Sequence, residues 1–386
     1  MMAYGIRLSM VLVAALAAAL SAGAGAPRAA PFETSAREAI LVDAETGTVL
    51  LEKDADQPMP PASMSKLMTA YMVFERLKQG ALSLDTVLPV SEKAWRTGGS
   101  KMFVEVNTSV SVKDLLHGVI VQSGNDACVV LAEGLAGTEE AFSAAMTERG
   151  REIGLTNSSF KNATGWPAEG HFMSARDLAI LTARIVQDFP EYFPYFKEVE
   201  FTYNGIRQGN RNPLLYKSLG ADGMKTGHTE EAGYGLTGTA IQNGRRLIVV
   251  VSGMNSPNAR SNEAERLLTY GFNAFGNYKL FSAGDVVERA DVWLGDQARV
   301  PLVIADNLTV TLPRASRKDL KVAAVFDSPI PAPIAKGMPV AKLVISAPDM
   351  APREVPLLAG ADVGALGMFS RIGAALSYLI FGPPSS

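Results

Sequence analysis

The chain has 386 residues, 47% of them hydrophobic and 19% charged, with 36 lysines and arginines against 39 aspartates and glutamates and a formal net charge of -3. These proportions belong to a globular protein and exclude disordered, collagen-like and disulfide-stapled chains, while roughly 150 residues per domain suggests two or three domains. With no basic excess, no zinc spacing and no glycine-rich phosphate loop, nothing points to nucleic acid, to a metal or to a cofactor.

At the start, Arg7 precedes the apolar run Leu8–Leu20 and the small-residue stretch Ser21-Ala-Gly-Ala-Gly-Ala26, with Ala-X-Ala patterns at Ala22/Ala24 and Ala24/Ala26. Residues 1–26 read as a secretory signal peptide, and the mature start is expected between Gly25 and Pro31. The run is short for a membrane span. The one cysteine, Cys128, sits in the apolar run Ala127-Cys-Val-Val-Leu131 and reads as a buried, inert thiol.

From Arg37 to about Phe275 strands and helices mix. Glu38–Val42 and Thr48–Glu52 flank Asp43-Ala-Glu-Thr-Gly47 as a hairpin. Helical spacing covers about 62–77, 112–121, 126–135, 139–153 and 175–187. Leu236–Ile241 and Arg246–Val251 then alternate around Asn243-Gly244 as a second hairpin, and a last helix covers about 264–275. Strands at both ends with helices between predict an α+β domain, 31–278, whose antiparallel sheet is covered by a helical cluster.

Beyond Leu280 short β-rich runs at 286–294, 300–304, 308–312, 322–326 and 341–345 predict a small all-β sandwich domain, 279–360, without a helix. Apolar residues at 365, 368, 369, 372, 375, 376, 379 and 380, with Ser370, Arg371 and Ser377 opposite, predict an amphipathic helix over 364–382. It would lie in a membrane interface with Tyr378 and Phe381 as anchors, or dock on the core.

Three motifs in the mixed domain carry chemistry. Ser63-Met-Ser-Lys66 follows Pro58, Pro60 and Pro61 at a helix start, and serine and lysine three apart share a helix face. Lys66 can take the Ser63 proton if burial depresses its pKa. Ser123-Gly124-Asn125 falls in a break between helices and offers a hydroxyl for proton relay and an amide for holding a substrate, or else a turn and helix cap. Lys225-Thr226-Gly227-His228 enters a strand. There Lys225 and Thr226 would bind a carboxylate, Gly227 would let a substrate backbone approach, and the His228 N–H would join that of Ser63 as an oxyanion hole.

In this order the motifs are the set shared by β-lactamases and penicillin-binding proteins. With Ser123-Gly-Asn-Asp-Ala127, Ser174-Ala-Arg-Asp177, Asn210-Arg-Asn-Pro213 and Asp222-Gly-Met-Lys-Thr-Gly-His-Thr229, the chain resembles the low-molecular-mass penicillin-binding proteins acting as D-alanyl-D-alanine carboxypeptidases. The resemblance implies that Ser63 is an acyl-enzyme nucleophile, Lys66 its base and Ser123 a proton relay. Asn125, Lys225, Thr226, Gly227 and His228 would hold substrate. Arg260 would either touch substrate or pair with Glu263, and Arg211 would either orient Lys225 or stand exposed. His117 and His171 match no motif. Where some relatives have His-Gly, this chain has Thr164-Gly165.

The implied substrate is the peptidoglycan pentapeptide, with β-lactams as inhibitors, no cofactor and no nucleic acid. The implied location is the periplasmic face of the cytoplasmic membrane, reached through export and the terminal helix. A D,D-endopeptidase, a β-lactamase and a non-enzymatic wall-synthesis scaffold are the alternatives. A β-lactamase of class A would need a Glu-X-X-X-Asn loop, and none is clear.

Overall fold

A computed structural model describes residues 32–348 and 350–367; the expected signal peptide, 1–26, and all but the first four residues of the expected terminal helix lie outside them. The first hairpin pairs β1 (Glu38–Asp43) with β2 (Val49–Lys53). Asp43 builds the turn, its Oδ1 accepting from the N–H groups of Glu45 and Thr46 at 3.1 Å each, and Gly47 takes the positive φ of 69° that closes it.

A 3-10 turn over Ala62–Ser65 leads into α1 (Lys66–Lys78). Leu67, Met68, Ala70, Tyr71, Val73 and Phe74 are all buried, so this helix is enclosed on nearly every side and runs through the core. Its first residue, Lys66, is therefore buried as well. Next, β3 (Val87–Pro89) and β4 (Ser109–Ser111) pair on either side of α2 (Glu92–Arg96). The helical cluster is completed by α3 (Val112–Ile120), α4 (Asn125–Ala136), α5 (Glu139–Glu152) and α6 (Ala175–Asp188). Ser111, Thr138 and Ser174 accept from the N–H three residues on, each satisfying an end donor of α3, α5 or α6.

A surface hairpin, β5 (Glu200–Tyr203) with β6 (Ile206–Gly209), precedes β7 (Ala221–Thr229), β8 (Gly233–Gln242), β9 (Arg245–Met254) and α7 (Pro257–Ala274). The main sheet has the order β2-β1-β9-β8-β7, is antiparallel throughout, and leaves β7 at its edge. The last helix begins at Pro257 rather than near 264. Ser256 caps it and proline fits its first turn, while the apolar positions Ala264, Leu267 and Leu268 start only where it packs down.

The remaining strands are β10 (Phe275–Phe281), β11 (Val286–Trp293), β12 (Arg299–Ile304), β13 (Leu308–Pro313), β14 (Lys321–Val325), β15 (Ile330–Pro331), β16 (Pro339–Ala347) and β17 (Met350–Ala359). The six-stranded sheet β14-β16-β17-β12-β11-β15 and the pair β10-β13 share one apolar core that includes Val300, Leu302, Val310, Leu312, Leu343 and Leu357. Strand β10 spans the expected domain limit at 278. One 3-10 turn, Arg314–Asp319, is the helical element in a region expected to have none. Ala365 bridges Gly295, so the first residues of the expected 364–382 helix are extended. No helix among the described residues is long and apolar enough to cross a membrane.

Candidate active site

The 3-10 turn places Ser63 one turn before the buried start of α1, and Lys66 Nζ donates to Ser63 Oγ at 2.9 Å. The same amine donates to Asn125 Oδ1 at 2.7 Å and to the Thr164 carbonyl at 2.5 Å, so its three protons are aimed. Burial brings its pKa down to about 8; the Arg211 charge acts in the same direction and Asp126 against it. Ser63 and Asn125 line a cleft of about 470 Å³, together with Ser100, Gly165, Trp166 and His228.

Ser123 ends the segment after α3 with φ +61°, a conformation non-glycine residues seldom adopt. Its Oγ is buried and has no hydrogen-bond partner among the described residues. Asn125, the first residue of α4, is fixed by its N–H to the Ser100 carbonyl at 2.7 Å and by Nδ2 to the Gly98 carbonyl at 2.8 Å. Glycine stands between them because a Cβ at position 124 would lie 3.1 Å from the Met102 backbone nitrogen and 2.8 Å from Asp126 Oδ1. Asp126, which sequence reasoning gave no role, accepts from the N–H groups of Met102, Phe103 and Val104 and so ties this corner together.

On the edge strand β7, Lys225 is buried and donates to the Thr226 carbonyl at 3.0 Å. Its pKa is pushed well below the ordinary lysine value by burial, with the Lys66 and Arg211 charges adding to the shift. Thr226 is buried beside it, while His228 is exposed and stacks on Tyr234 with ring centroids 3.9 Å apart. Arg260 lies over the other partner of that stack, 5.9 Å from the Tyr234 ring, and its Nε has no hydrogen-bond partner among the described residues. The alternative pairing of Arg260 with Glu263 is not formed: Glu263 takes Arg266 at 2.7 Å and Thr34 at 2.6 Å. Arg211 does not reach Lys225 through a hydrogen bond; its guanidinium donates to Ser100 Oγ at the cleft rim.

Gly227 has a packing role that the sequence reading did not include. A Cβ there would meet the Pro61 carbonyl at 2.9 Å and Ala62 Cβ at 3.1 Å, so glycine lets β7 lie against the nucleophile's own turn. Asn162 and Trp166 were not foreseen, and Thr164-Gly165 was noted only where some relatives have His-Gly, although Asn-Ala-Thr-Gly is a turn signal. Cys128 is buried with its thiol pushed up to about 12 by desolvation. His117 bonds Lys113 and Glu198, and His171 accepts from Lys161 N–H with its pKa brought down to about 4 by burial; both are structural.

A serine bonded to a buried amine of lowered pKa can form an acyl-enzyme, and residues 25–257 match the family model described as D-alanyl-D-alanine carboxypeptidase. The chain belongs to the D-alanyl-D-alanine carboxypeptidase family. Residues 275–365 of this carboxypeptidase match the model described as penicillin-binding protein 5, C-terminal domain. The chain is 40% identical to D-alanyl-D-alanine carboxypeptidase DacC of Escherichia coli strain K12, covering 87% of this chain and 86% of that one. It is 37% identical to DacA of Haemophilus influenzae over 89% and 88%. The crystal structure of penicillin binding protein 5 from Haemophilus influenzae superposes with a TM-score of 0.80 at 37% identity, covering 86% of this chain and 99% of that one. The fold is thus that of a penicillin-binding protein, with a mixed α/β peptidase region followed by a β-sheet domain, and the protein is a carboxypeptidase hydrolase.

Proposed function

We propose that this carboxypeptidase removes the terminal D-alanine from peptidoglycan stem peptides through an acyl-enzyme on Ser63, with Lys66 as general base. The observation that carries the reading is the Lys66 amine, buried, lowered to about 8 and hydrogen-bonded to Ser63 Oγ at 2.9 Å. Neutral Lys66 takes the Ser63 proton as Oγ attacks the carbonyl carbon between the two D-alanines. The tetrahedral oxyanion is met by the backbone N–H groups of Ser63 and His228. The C–N bond then breaks, and Ser123 relays the proton to the departing amine; its buried hydroxyl, without a partner among the described residues, and its strained φ of 61° support that role. Water hydrolyses the ester and frees Ser63.

Recognition rests on charge and on an open strand edge. Lys225, Arg211 and Arg260 have no ion-pair partner among the described residues, which suits the terminal carboxylate of the substrate. Thr226 adds a hydroxyl and Asn125 an amide. Because β7 is an edge, an extended peptide can pair with it. A β-lactam offers the same amide and carboxylate, but its leaving group stays tethered in the cleft, so the adduct persists. In one solved relative, penicillin-binding protein D2 from Listeria monocytogenes, ampicillin is bound, which supports this part of the reading. We further propose export by residues 1–26 and action at the periplasmic face of the cytoplasmic membrane.

The test is release of D-alanine from diacetyl-Lys-D-Ala-D-Ala by the native chain and by Ser63→Ala. Release by the native chain alone is expected. Equal release by the variant, or none from either, would overturn the proposal.

A further inference from the structure

Between the bridged residues Ser159 and Phe172 a turn begins at Asn162, and it touches Lys66 and the 3-10 turn that carries Ser63. Asn162 Oδ1 accepts from Thr164 N–H at 3.1 Å, Thr164 Oγ1 at 2.9 Å, Gly165 N–H at 2.8 Å and Trp166 N–H at 3.1 Å. Its Nδ2 donates to the Trp166 carbonyl at 2.9 Å. One side chain thus gathers the donors of three successive residues and closes the turn on itself. The turn is pinned outside as well: the Ala163 carbonyl accepts from Thr69 Oγ1 of α1 at 2.7 Å, and Ala163 N–H donates to Glu139 at the start of α5.

Two consequences reach the reacting atoms. The Thr164 carbonyl, inside the turn, accepts from Lys66 Nζ at 2.5 Å. Gly165, at φ +80°, sits so close to the nucleophile's turn that a Cβ would fall 1.9 Å from the Ala62 carbonyl oxygen. The turn is therefore a wall against which Ser63's segment rests and a fixed acceptor that aims the lysine.

We propose that Asn162 is a positioning residue for acylation, acting through the Thr164 carbonyl to hold Lys66 Nζ on Ser63 Oγ and through Gly165 to keep water from the amine. The proposal rests on the reading of Lys66 as the base. Without the Asn162 acceptor, four hydrogen bonds lose their partner together, the turn opens, and Lys66 gains both rotational freedom and solvent. Asp126, Cys128, Arg211 and Lys225 also face Lys66 and keep their places in such a variant; His171, which feels the Lys66 charge and takes the Lys161 N–H beside Asn162, is held neutral by burial, so a change in the Lys66 titration reports the turn.

The experiment measures the second-order rate of acylation by fluorescent benzylpenicillin from pH 6 to pH 10, per acylatable site, for the native chain, Asn162→Ala and Asn162→Asp. For Asn162→Ala the rate falls about 30- to 100-fold, the scale of a misplacement near 1 Å. Its acid limb moves upward from the native position near 8, because renewed hydration favours the ammonium. Asn162→Asp keeps an oxygen for all four donors and recovers the rate to within about fivefold of native, the size of one lost neutral hydrogen bond. Native-like rate and limb in Asn162→Ala would overturn the positioning role alone. If Asn162→Ala does not fold, a folded Asn162→Asp slower than native by 100-fold or more would do the same. Absence of any adduct on the native chain would instead overturn the underlying assignment of Ser63 and Lys66.

Discussion

Lys66 opens α1, a helix enclosed on nearly every side, and water is replaced around its amine by three oxygen atoms. With its pKa near 8, the neutral form able to take a proton is the minority at pH 7 and dominates above pH 8. Acylation by benzylpenicillin should therefore climb about tenfold per pH unit below 8 and level off above it; a flat profile between pH 6 and pH 9 would contradict this. The sign for stability follows from the same shift. The unfolded lysine keeps its proton up to about 10.5, so between about 8 and 10.5 the unfolded chain binds more protons and stability rises with pH, falling again as pH drops through 8. At this scale the first motif was legible: Ser63 and Lys66 meet as their spacing suggested, and Asn125, read as an amide for substrate, also bonds Lys66. Gly227 was read for its smallness toward a substrate, but its packing on Pro61 and Ala62 was not, since no spacing reveals that they lie beneath it. Asn162 was missed because a turn signal does not say where the turn's carbonyl will point.

Among the elements, the turn at 162–166 and the edge strand β7 form the two sides of the cleft, and both depend on glycine where they approach the 3-10 turn of Ser63. Gly165→Ala should displace the turn from the Ser63 segment, because a Cβ would fall 1.9 Å from the Ala62 carbonyl oxygen. It should lose about 100-fold or more in acylation rate as the wall leaves the nucleophile; an unchanged rate would show that the contact with Ala62 does not matter. Helices with one apolar face and a Ser or Thr cap were readable within a few residues, as α3, α5 and α6 show. The hairpin β5–β6 was not, since its strands Glu200–Tyr203 and Ile206–Gly209 lie on the surface and bury little. The signal available there was Asn204-Gly205, both at positive φ. Strand β7 has only its two threonines as β-branched residues, because Lys225 and Gly227 occupy its middle beside the Ser63 turn.

For the whole molecule, the turn of the first hairpin joins the peptidase region to the β-sheet domain. Asp43, fully buried, accepts from Arg245 Nε at 2.7 Å and from Asn277 Nδ2 of β10 at 3.2 Å. Thr46 and Thr311 of β13 share a hydroxyl contact at 2.6 Å. Asp43→Ala leaves Arg245 without its counter-charge and should cost about 3–5 kcal/mol, the scale for breaking a buried pair. Urea unfolding checks this, and a loss below 1 kcal/mol would show that the hub carries little. Truncation after Gly367, which leaves the Ala365 bridge to Gly295 intact, should move the protein from the membrane to the soluble fraction; unchanged partitioning would argue against anchoring by residues 368–386. The overall plan was visible in the alternation of strands, helices and then strands, but this joint was not, because it is built from polar residues far apart in the chain. The most direct test of the account is mass spectrometry of the protein after reaction with benzylpenicillin, with the adduct located by peptide mapping. A single penicilloyl group on Ser63, absent from Ser63→Ala, is the predicted result; an adduct on another residue, or none on the native chain, would contradict it.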